Sequence, residues 1–153
     1  MLTLLSRNIE NTYRIGQTLG RIIKKPIFLA LHGSVGSGKT HFVQGLAKGL
    51  DCSLVPRSPT FSIMDEYEGR LPLLHVDVYR LEEEELEPLG LEELLEEWRG
   101  VIAMEWSSLF PSLFPSAPLH IQIDILDATH RRISFDSGIH HSLLEELGQL
   151  CVF

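Results

Sequence analysis

Apolar residues along this chain follow two spacings, and the shorter spacing indicates β-strands. Short alternating or continuous apolar stretches bounded by turn residues are typical of strands. Five stretches fit this description: 27–31, 61–67, 73–79, 101–106 and 119–125. A turn at 68–70 predicts that the second and third stretches form a hairpin. A turn at 127–129 predicts that residues 131–135 pair with the fifth stretch.

The longer spacing, of three and four residues, indicates helices. It predicts helices over 8–24, 42–50 and 142–150. Asn8 is expected to cap the first of them. The acidic stretch 81–99 is also helical in composition, and Pro88 and Gly90 divide it into two short helices. Residues 51–60 and 107–118 are expected to be irregular connections.

One stretch between a strand and a helix carries recognisable chemistry. Residues 33–40, Gly-Ser-Val-Gly-Ser-Gly-Lys-Thr, follow the strand 27–31 and open the helix 42–50, which is the context of a phosphate-binding loop. Glycines let successive backbone N–H groups face phosphate oxygens, and the helix N-terminus adds partial positive charge. We name residues 33–40 the phosphate loop. Its candidate nucleotide-binding residues are Gly33, Ser34, Val35, Gly36, Ser37, Gly38, Lys39 and Thr40.

Two residues of the phosphate loop have assigned roles. Lys39 is a point cation for the β- and γ-phosphates and neutralises charge that develops during phosphoryl transfer. The Thr40 hydroxyl is a hard oxygen ligand for Mg²⁺. The sequence therefore predicts ATP and Mg²⁺ as cofactors.

The order of strands, helices and phosphate loop predicts the fold class. Strands that alternate with helices form a sheet covered on both faces, and hairpins add antiparallel strands to it. We expect an α/β, P-loop NTPase-like three-layer sandwich with a mainly parallel sheet and antiparallel additions. At 153 residues the chain has room for one such domain, over 1–153.

A phosphate loop needs an acidic partner for the metal, usually at the end of a neighbouring strand. Asp77 and Glu105 each follow an apolar strand run, and Glu105 lies more clearly at the carboxyl end. We assign Glu105 to Mg²⁺ and Asp77 to the catalytic water or the γ-phosphate. His75 shares a strand face with Asp77, so it either orients Asp77 by a hydrogen bond or packs in the core.

Three arginines each have two open interpretations. Arg80 is either a cationic clamp on phosphate or, slightly preferred, a salt-bridge partner of nearby acids such as Glu83. Arg131 and Arg132 are candidates for nucleotide contact, and an exposed edge strand explains them equally well. No arginine is clearly placed to act as an internal finger, so we expect slow intrinsic turnover.

Composition restricts the partners and the compartment. The formal net charge is -8, which disfavours direct binding of a nucleic-acid backbone by this chain alone. No apolar run approaches the roughly 20 residues of a membrane span, and the start lacks the pattern of a secretory signal. Cys52 and Cys151 form no metal or redox motif. We expect a cytoplasmic protein without membrane contact.

Four motifs together resemble those of the TsaE (YjeE) family, in order and in spacing. The motifs are Gly33 to Thr40, Ser58-Pro59-Thr60-Phe61, His75-Val76-Asp77-Val78-Tyr79-Arg80-Leu81 and Glu105-Trp106. The resemblance spans about residues 6–135, and its H-x-D-x-Y-R block is more specific than the phosphate loop.

The resemblance implies a function and roles for residues. The family comprises P-loop ATPases that work with TsaD and TsaB in forming the threonylcarbamoyl group on adenosine 37 of tRNAs reading ANN codons. Contact with tRNA would then be indirect, through the partners. Thr40 and Glu105 are implied to hold Mg²⁺, Asp77 to support hydrolysis, and the segment at Thr60 to act as a switch beside the γ-phosphate.

The sequence departs from the family pattern at two positions. Ser34 stands where relatives often have an acidic residue, so a side-chain contact from that acid is absent. His41 stands where many relatives have a second threonine, and it is expected to alter the nucleotide pocket. Because backbone N–H groups bind the phosphates, we expect nucleotide binding to survive both changes.

Three functions share this chemistry. The first is a Mg-ATPase whose hydrolysis drives the cycle of a partner enzyme, the second a small-molecule kinase, and the third a nucleotide-gated binding module without catalysis. A kinase usually needs an arginine-bearing lid, and no such segment is evident. The guanine-reading Asn-Lys-x-Asp tetrapeptide is also missing, which disfavours a GTPase.

Overall fold

The computed structural model describes residues 1–56, 63–106, 109–113, 117–136 and 138–153. The strands are β1 (Leu2–Ser6), β2 (Ile27–His32), β3 (Met64–Tyr67), β4 (Leu73–Asp77), β5 (Val101–Glu105), β6 (Leu119–Ile125) and β7 (Arg131–Asp136). The α-helices are α1 (Ile9–Ile22), α2 (Lys39–Gly49), α3 (Leu86–Leu89), α4 (Leu91–Glu97) and α5 (His141–Leu150). None of the helices in the described ranges has the length and apolar character needed to cross a membrane.

The described strands form one sheet in the order β1-β7-β6-β2-β5-β4-β3. Its four central strands, β6, β2, β5 and β4, pair in parallel. The edges are antiparallel, because β3 pairs with β4, β7 with β6 and β1 with β7. This confirms the predicted mainly parallel sheet with antiparallel additions, including the 61–67/73–79 hairpin over its described residues and the β6–β7 pair.

Two apolar clusters lie on opposite faces of the sheet. On one face, α1, α2 and α5 contribute buried residues such as Leu19, Leu46 and Leu147 to a cluster with odd-numbered residues of β2, β5, β6 and β7. On the other face, Leu91 and Leu95 of α4 pack on even-numbered residues of β2, β4 and β5. Helices on both faces of one sheet confirm the predicted three-layer α/β sandwich.

Helices α1 and α2 pack backbone against backbone. Their contact contains two Gly-x-x-x-Gly pairs, Gly16 and Gly20 on α1 and Gly45 and Gly49 on α2. A Cβ built at any of the four would overlap a backbone carbonyl oxygen of the facing helix. Since α2 begins within the phosphate loop, this close contact fixes the loop relative to α1.

The sequence did not predict β1. Its five residues pair with β7, which lies far away along the chain, and the strand occupies the sheet edge. Local pattern gives little signal for such a strand, since only part of one face of a short edge strand is buried. The predicted N-cap of α1 is confirmed: the Asn8 side chain accepts a hydrogen bond from the N–H of Asn11 at 2.8 Å.

Candidate functional site

Side-chain alternation brings three polar residues to one end of one sheet face. In β4, His75 and Asp77 have the same parity as Leu73, which packs under α1 and α2. In β5, Glu105 has the same parity as Val101 on that face. The parallel register sets Asp77 directly beside Glu105. All three side chains therefore lie on the face from which the phosphate loop emerges.

The phosphate loop connects β2 to α2 through three glycines with positive φ, of which Gly33 at 159° is close to extended backbone. Gly36 has φ 82° and Gly38 has φ 109°, values that side chains other than glycine rarely adopt. Ser37 closes a turn by donating its N–H to the Ser34 carbonyl at 3.1 Å. Gly38 caps α2 without a side-chain hydrogen bond from the described residues, so N–H groups of the first turn remain available for an anion.

Lys39 is buried where the phosphate loop meets the two acids. Its ammonium donates to the Gly33 carbonyl at 2.8 Å and lies 3.8 Å from Oε1 of Glu105. It also lies 4.1 Å from the centroid of the Trp106 ring. Burial lowers the pKa of Lys39, while Glu105 and Asp77 act to raise it.

Glu105 is held by a buried histidine. Only 4% of Glu105 and none of His75 is exposed, and Nε2 of His75 donates to Oε2 of Glu105 at 2.6 Å. Within the described residues, Nδ1 of His75 has no hydrogen-bond partner. This pair corrects one of the two interpretations from sequence: His75 forms its hydrogen bond with Glu105 on β5, and not with Asp77 on its own strand.

Asp77 is half-buried beside Glu105, and it lines the cavity between the phosphate loop and the strand ends. Its Oδ1 accepts a hydrogen bond from the N–H of Tyr79 at 2.9 Å. Burial raises the pKa of Asp77, and the neighbouring Glu105 carboxylate acts in the same direction. The Tyr79 hydrogen bond and the positive charge of Lys39 oppose this effect.

A cavity of about 910 Å³ joins these groups. Beyond the phosphate loop and the acids, its wall includes the start of α1, Tyr79, Arg80 and the β6–β7 turn. The predicted site residues that line it are Val35, Gly36, Ser37, Gly38, Lys39, Thr40, His41, Asp77 and Glu105. Gly33 and Ser34 contribute the carbonyl oxygens that hold Lys39 and Ser37.

The donor set fits a nucleotide with a divalent metal ion. Thr40 and Glu105 supply a hydroxyl and a carboxylate, which are hard oxygen ligands suited to Mg²⁺. Lys39 and the N–H groups at the start of α2, which no side chain of the described residues caps, supply positive potential. The Ser37 hydroxyl is fully buried and, among the described residues, has no hydrogen-bond partner.

The predicted residue Arg132 is not brought to the cavity. Arg132 lies on the opposite face of β7 and pairs with Asp124 at 3.4 Å. Its neighbour Arg131 lines the cavity instead. The alternation of side chains along β7 was the signal that sequence reasoning missed. Arg131 lies on the same face as the core residues Ile133 and Phe135, so it faces α2 and the phosphate loop. Thr60 lies outside the described residues.

Fold and site together define the class of this protein. A glycine-rich phosphate loop follows a central parallel strand of a three-layer α/β sandwich, and two acids lie at the ends of adjacent strands. This is a P-loop NTPase-like protein.

Comparison with known proteins gives the family. The family described as "Threonylcarbamoyl adenosine biosynthesis protein TsaE" matches residues 6–133. The tRNA threonylcarbamoyladenosine biosynthesis protein TsaE of Bacillus subtilis is 39% identical over 145 residues, which cover 93% of this chain and 90% of that protein. The protein of the same name from Treponema pallidum is 36% identical over 131 residues, covering 85% and 96%.

A solved structure agrees with these sequence matches. The crystal structure of Bacillus subtilis YdiB superposes with a TM-score of 0.76 at 32% identity, covering 97% of this chain and 94% of that one. The chain belongs to the TsaE family, whose members are involved in tRNA threonylcarbamoyladenosine biosynthesis.

Proposed function

We propose that this protein is a Mg²⁺-dependent ATPase that acts with TsaB and TsaD in forming the threonylcarbamoyl group on adenosine 37 of tRNAs reading ANN codons. The observation that carries the proposal is one cavity in which the phosphate loop, Lys39, Asp77 and Glu105 meet. Membership of the TsaE family supports the pathway, and the resemblance of the motifs supports the two partners.

The proposed reaction is attack of water on the γ-phosphorus of ATP, with ADP as the leaving group. The loop N–H groups and Lys39 bind the phosphate tail and neutralise charge that develops on it. Asp77 orients the attacking water from the end of β4. Thr40 and Glu105 would hold Mg²⁺, which supplies further charge neutralisation when it is bound.

Charge and composition are consistent with an indirect role towards RNA. The net charge of -8 gives the chain little attraction for a polyanion, so we assign the binding of tRNA to partner subunits. A protein that works in this assembly would act in the cytoplasm. The single domain, residues 1–153, would then undergo conformational changes, driven by ATP binding and hydrolysis, within a larger complex.

The first prediction tests the ATPase itself by phosphate release without an added acceptor, alone and with TsaB and TsaD. Lys39→Ala should abolish nucleotide binding or turnover, because it removes a buried cation beside the phosphates. Asp77→Ala should bind Mg-ATP within about threefold of the parent protein but lose hydrolysis by about 100-fold or more. Both variants are compared with the parent by binding isotherms and by initial rates.

Three results would contradict parts of this proposal. Normal phosphate release by Asp77→Ala would remove its assigned role. ADP formation that depends on a small-molecule acceptor, with the phosphoryl group transferred to that acceptor, would indicate a kinase. Tight ATP binding without turnover, even with both partners present, would indicate a nucleotide-gated binding module.

A further inference from the structure

Arg131 connects the β6–β7 turn to the back of the phosphate loop. Its Nε donates to the Ser37 carbonyl at 2.9 Å, and its Nη2 donates to the Gly36 carbonyl at 3.2 Å. On the other side, Nη1 donates to the carbonyls of Asp127 at 2.8 Å and His130 at 3.0 Å. One guanidinium therefore bridges two separate backbone segments.

These contacts leave little capacity for phosphate. A guanidinium carries five N–H donors, and the four carbonyl contacts occupy four of them. Arg131 lines the cavity, but its hydrogen-bonding groups are directed largely at the protein backbone. Its main interaction is thus with the loop that would bind phosphate.

The β6–β7 turn, which directly precedes Arg131, is held by hydrogen bonds of its own. The Asp127 carboxylate accepts hydrogen bonds from the backbone N–H groups of His130 at 2.8 Å and Thr129 at 2.9 Å. These bonds hold the pKa of Asp127 well below its usual range, so the carboxylate is ionised at neutral pH. The Leu126 N–H also donates to the His130 carbonyl at 3.0 Å. Arg131 therefore links the phosphate loop to an ordered turn.

Because peptide groups are planar, a hydrogen bond that fixes a carbonyl also fixes the direction of the N–H group of the next residue. In a trans peptide the carbonyl and the following N–H lie in one plane and point to opposite sides. Fixing the Ser37 carbonyl therefore aims the N–H of Gly38, and fixing the Gly36 carbonyl aims the N–H of Ser37. The second N–H closes the turn to Ser34, while Gly38 lines the cavity.

We propose that Arg131 is a positioning residue, which holds the phosphate loop from behind in the conformation that binds phosphate. It does so through the loop carbonyls, and direct attraction between its charge and the nucleotide is a minor contribution. The affinity part of this inference rests on the proposed nucleotide binding. The loop-order part does not, because it concerns the protein without nucleotide.

The test compares Arg131→Ala and Arg131→Lys with Arg132→Ala. Arg132 is a matched control, because it is adjacent on β7 with the same charge, and the structure places it on the opposite face against Asp124. Backbone ¹⁵N order parameters are measured for Gly36, Ser37 and Gly38 in the nucleotide-free proteins. Affinity for Mg-ADP is measured by calorimetry, and thermal unfolding confirms that each variant is folded.

Arg131→Ala should lower the loop order parameters from about 0.85 to below about 0.6 and weaken Mg-ADP binding about tenfold or more. Arg131→Lys should restore neither property, because one ammonium cannot reach four carbonyl oxygens. Arg132→Ala should stay within about twofold of the parent in affinity. If Arg131→Ala does not fold, the lysine variant alone decides the comparison.

Several outcomes would overturn the inference. A rigid loop in Arg131→Ala would do so, as would recovery of affinity in Arg131→Lys, which would indicate direct attraction between charge and nucleotide. An equal loss in Arg132→Ala would show a general charge effect. If the parent protein does not bind Mg-ADP, the proposed nucleotide binding fails, while the order parameters still decide whether Arg131 holds the loop.

Discussion

His75 shows how a fully buried side chain can hold a nearly buried carboxylate in place. Glu105 is nearly inaccessible, and an ionised acid at such a position needs hydrogen bonds or opposite charge to compensate for lost hydration. His75 provides one bond at 2.6 Å, and Lys39 provides positive charge at 3.8 Å. The histidine therefore keeps one carboxylate oxygen occupied and leaves the other facing Lys39.

The second prediction concerns this pair. His75→Leu should destabilise the protein by about 1 to 3 kcal/mol, because it leaves the buried Glu105 without its hydrogen bond. It should also raise the Mg²⁺ concentration that half-maximal ATP hydrolysis requires. His75→Gln places an amide donor near the position of Nε2 and should recover most of both properties. Urea unfolding and Mg²⁺ titrations of the rate provide the measurements.

A result with equal losses in both variants of His75 would show that ring packing, and not the hydrogen bond, is what Glu105 needs. Sequence predicted Asp77 and Glu105 as the acids of the site because each ends an apolar strand, and both of them line the cavity. It did not identify the His75–Glu105 bond, since that bond joins different strands and depends on strand order. Arg131 and Arg132, in contrast, could have been separated from sequence, because only Arg131 alternates with the core residues Ile133 and Phe135.

At the scale of elements, the crossing of α1 and α2 is the closest packing in the described structure that glycine makes possible. Gly45 lies against the Tyr13 carbonyl and Gly49 against the Gln17 carbonyl. Sequence showed helical periodicity in both segments, but it did not indicate the close contact between them. The close approach became evident only from the pairing of two helices, which no local pattern encodes.

The third prediction follows from this crossing. Gly45→Ala should destabilise the protein by about 2 kcal/mol, because overlap with the Tyr13 carbonyl outweighs the roughly 1 kcal/mol that alanine gains in a helix. Gly148→Ala is the control within α5, where the nearest atom is a flexible methyl group of Leu2 at 3.1 Å. Chemical unfolding of both variants measures the difference.

A Gly45→Ala variant of unchanged stability would mean that the two helices can separate without cost, which would contradict their proposed role in fixing the phosphate loop.

Element positions were otherwise largely predictable, since β2, β5, β6 and β7 agree closely with the apolar stretches. The exception, β1, obtains its stability from pairing with a distant strand, so its own five residues carried too little pattern.

At the scale of the whole molecule, the site depends on elements from most of the chain. Its cavity is lined by the start of α1, the phosphate loop, the ends of β4 and β5 and the β6–β7 turn. A ligand bound there contacts segments that would separate on unfolding. Binding should therefore stabilise the complete fold and not one local segment.

The fourth prediction measures this coupling. Mg-ADP at about 100 times its Kd should stabilise the native state by about 2.7 kcal/mol, which corresponds to roughly 5 to 10 °C in Tm. Removing Mg²⁺ with a chelator should reduce the increase. Lys39→Ala should abolish it. Differential scanning calorimetry gives the values, and an equal increase in Lys39→Ala would place the nucleotide elsewhere.

The pairing of β1 with β7 has a consequence for biosynthesis. During translation the residues of β1 leave the ribosome early, whereas their partners, Arg131–Asp136, emerge only after every other strand of the sheet. The nascent chain must therefore carry an apolar segment without its hydrogen-bonding partner until every other strand of the sheet has been made. The sheet is therefore completed only after its last strand has emerged, and the interval before that is when this chain most needs protection from aggregation.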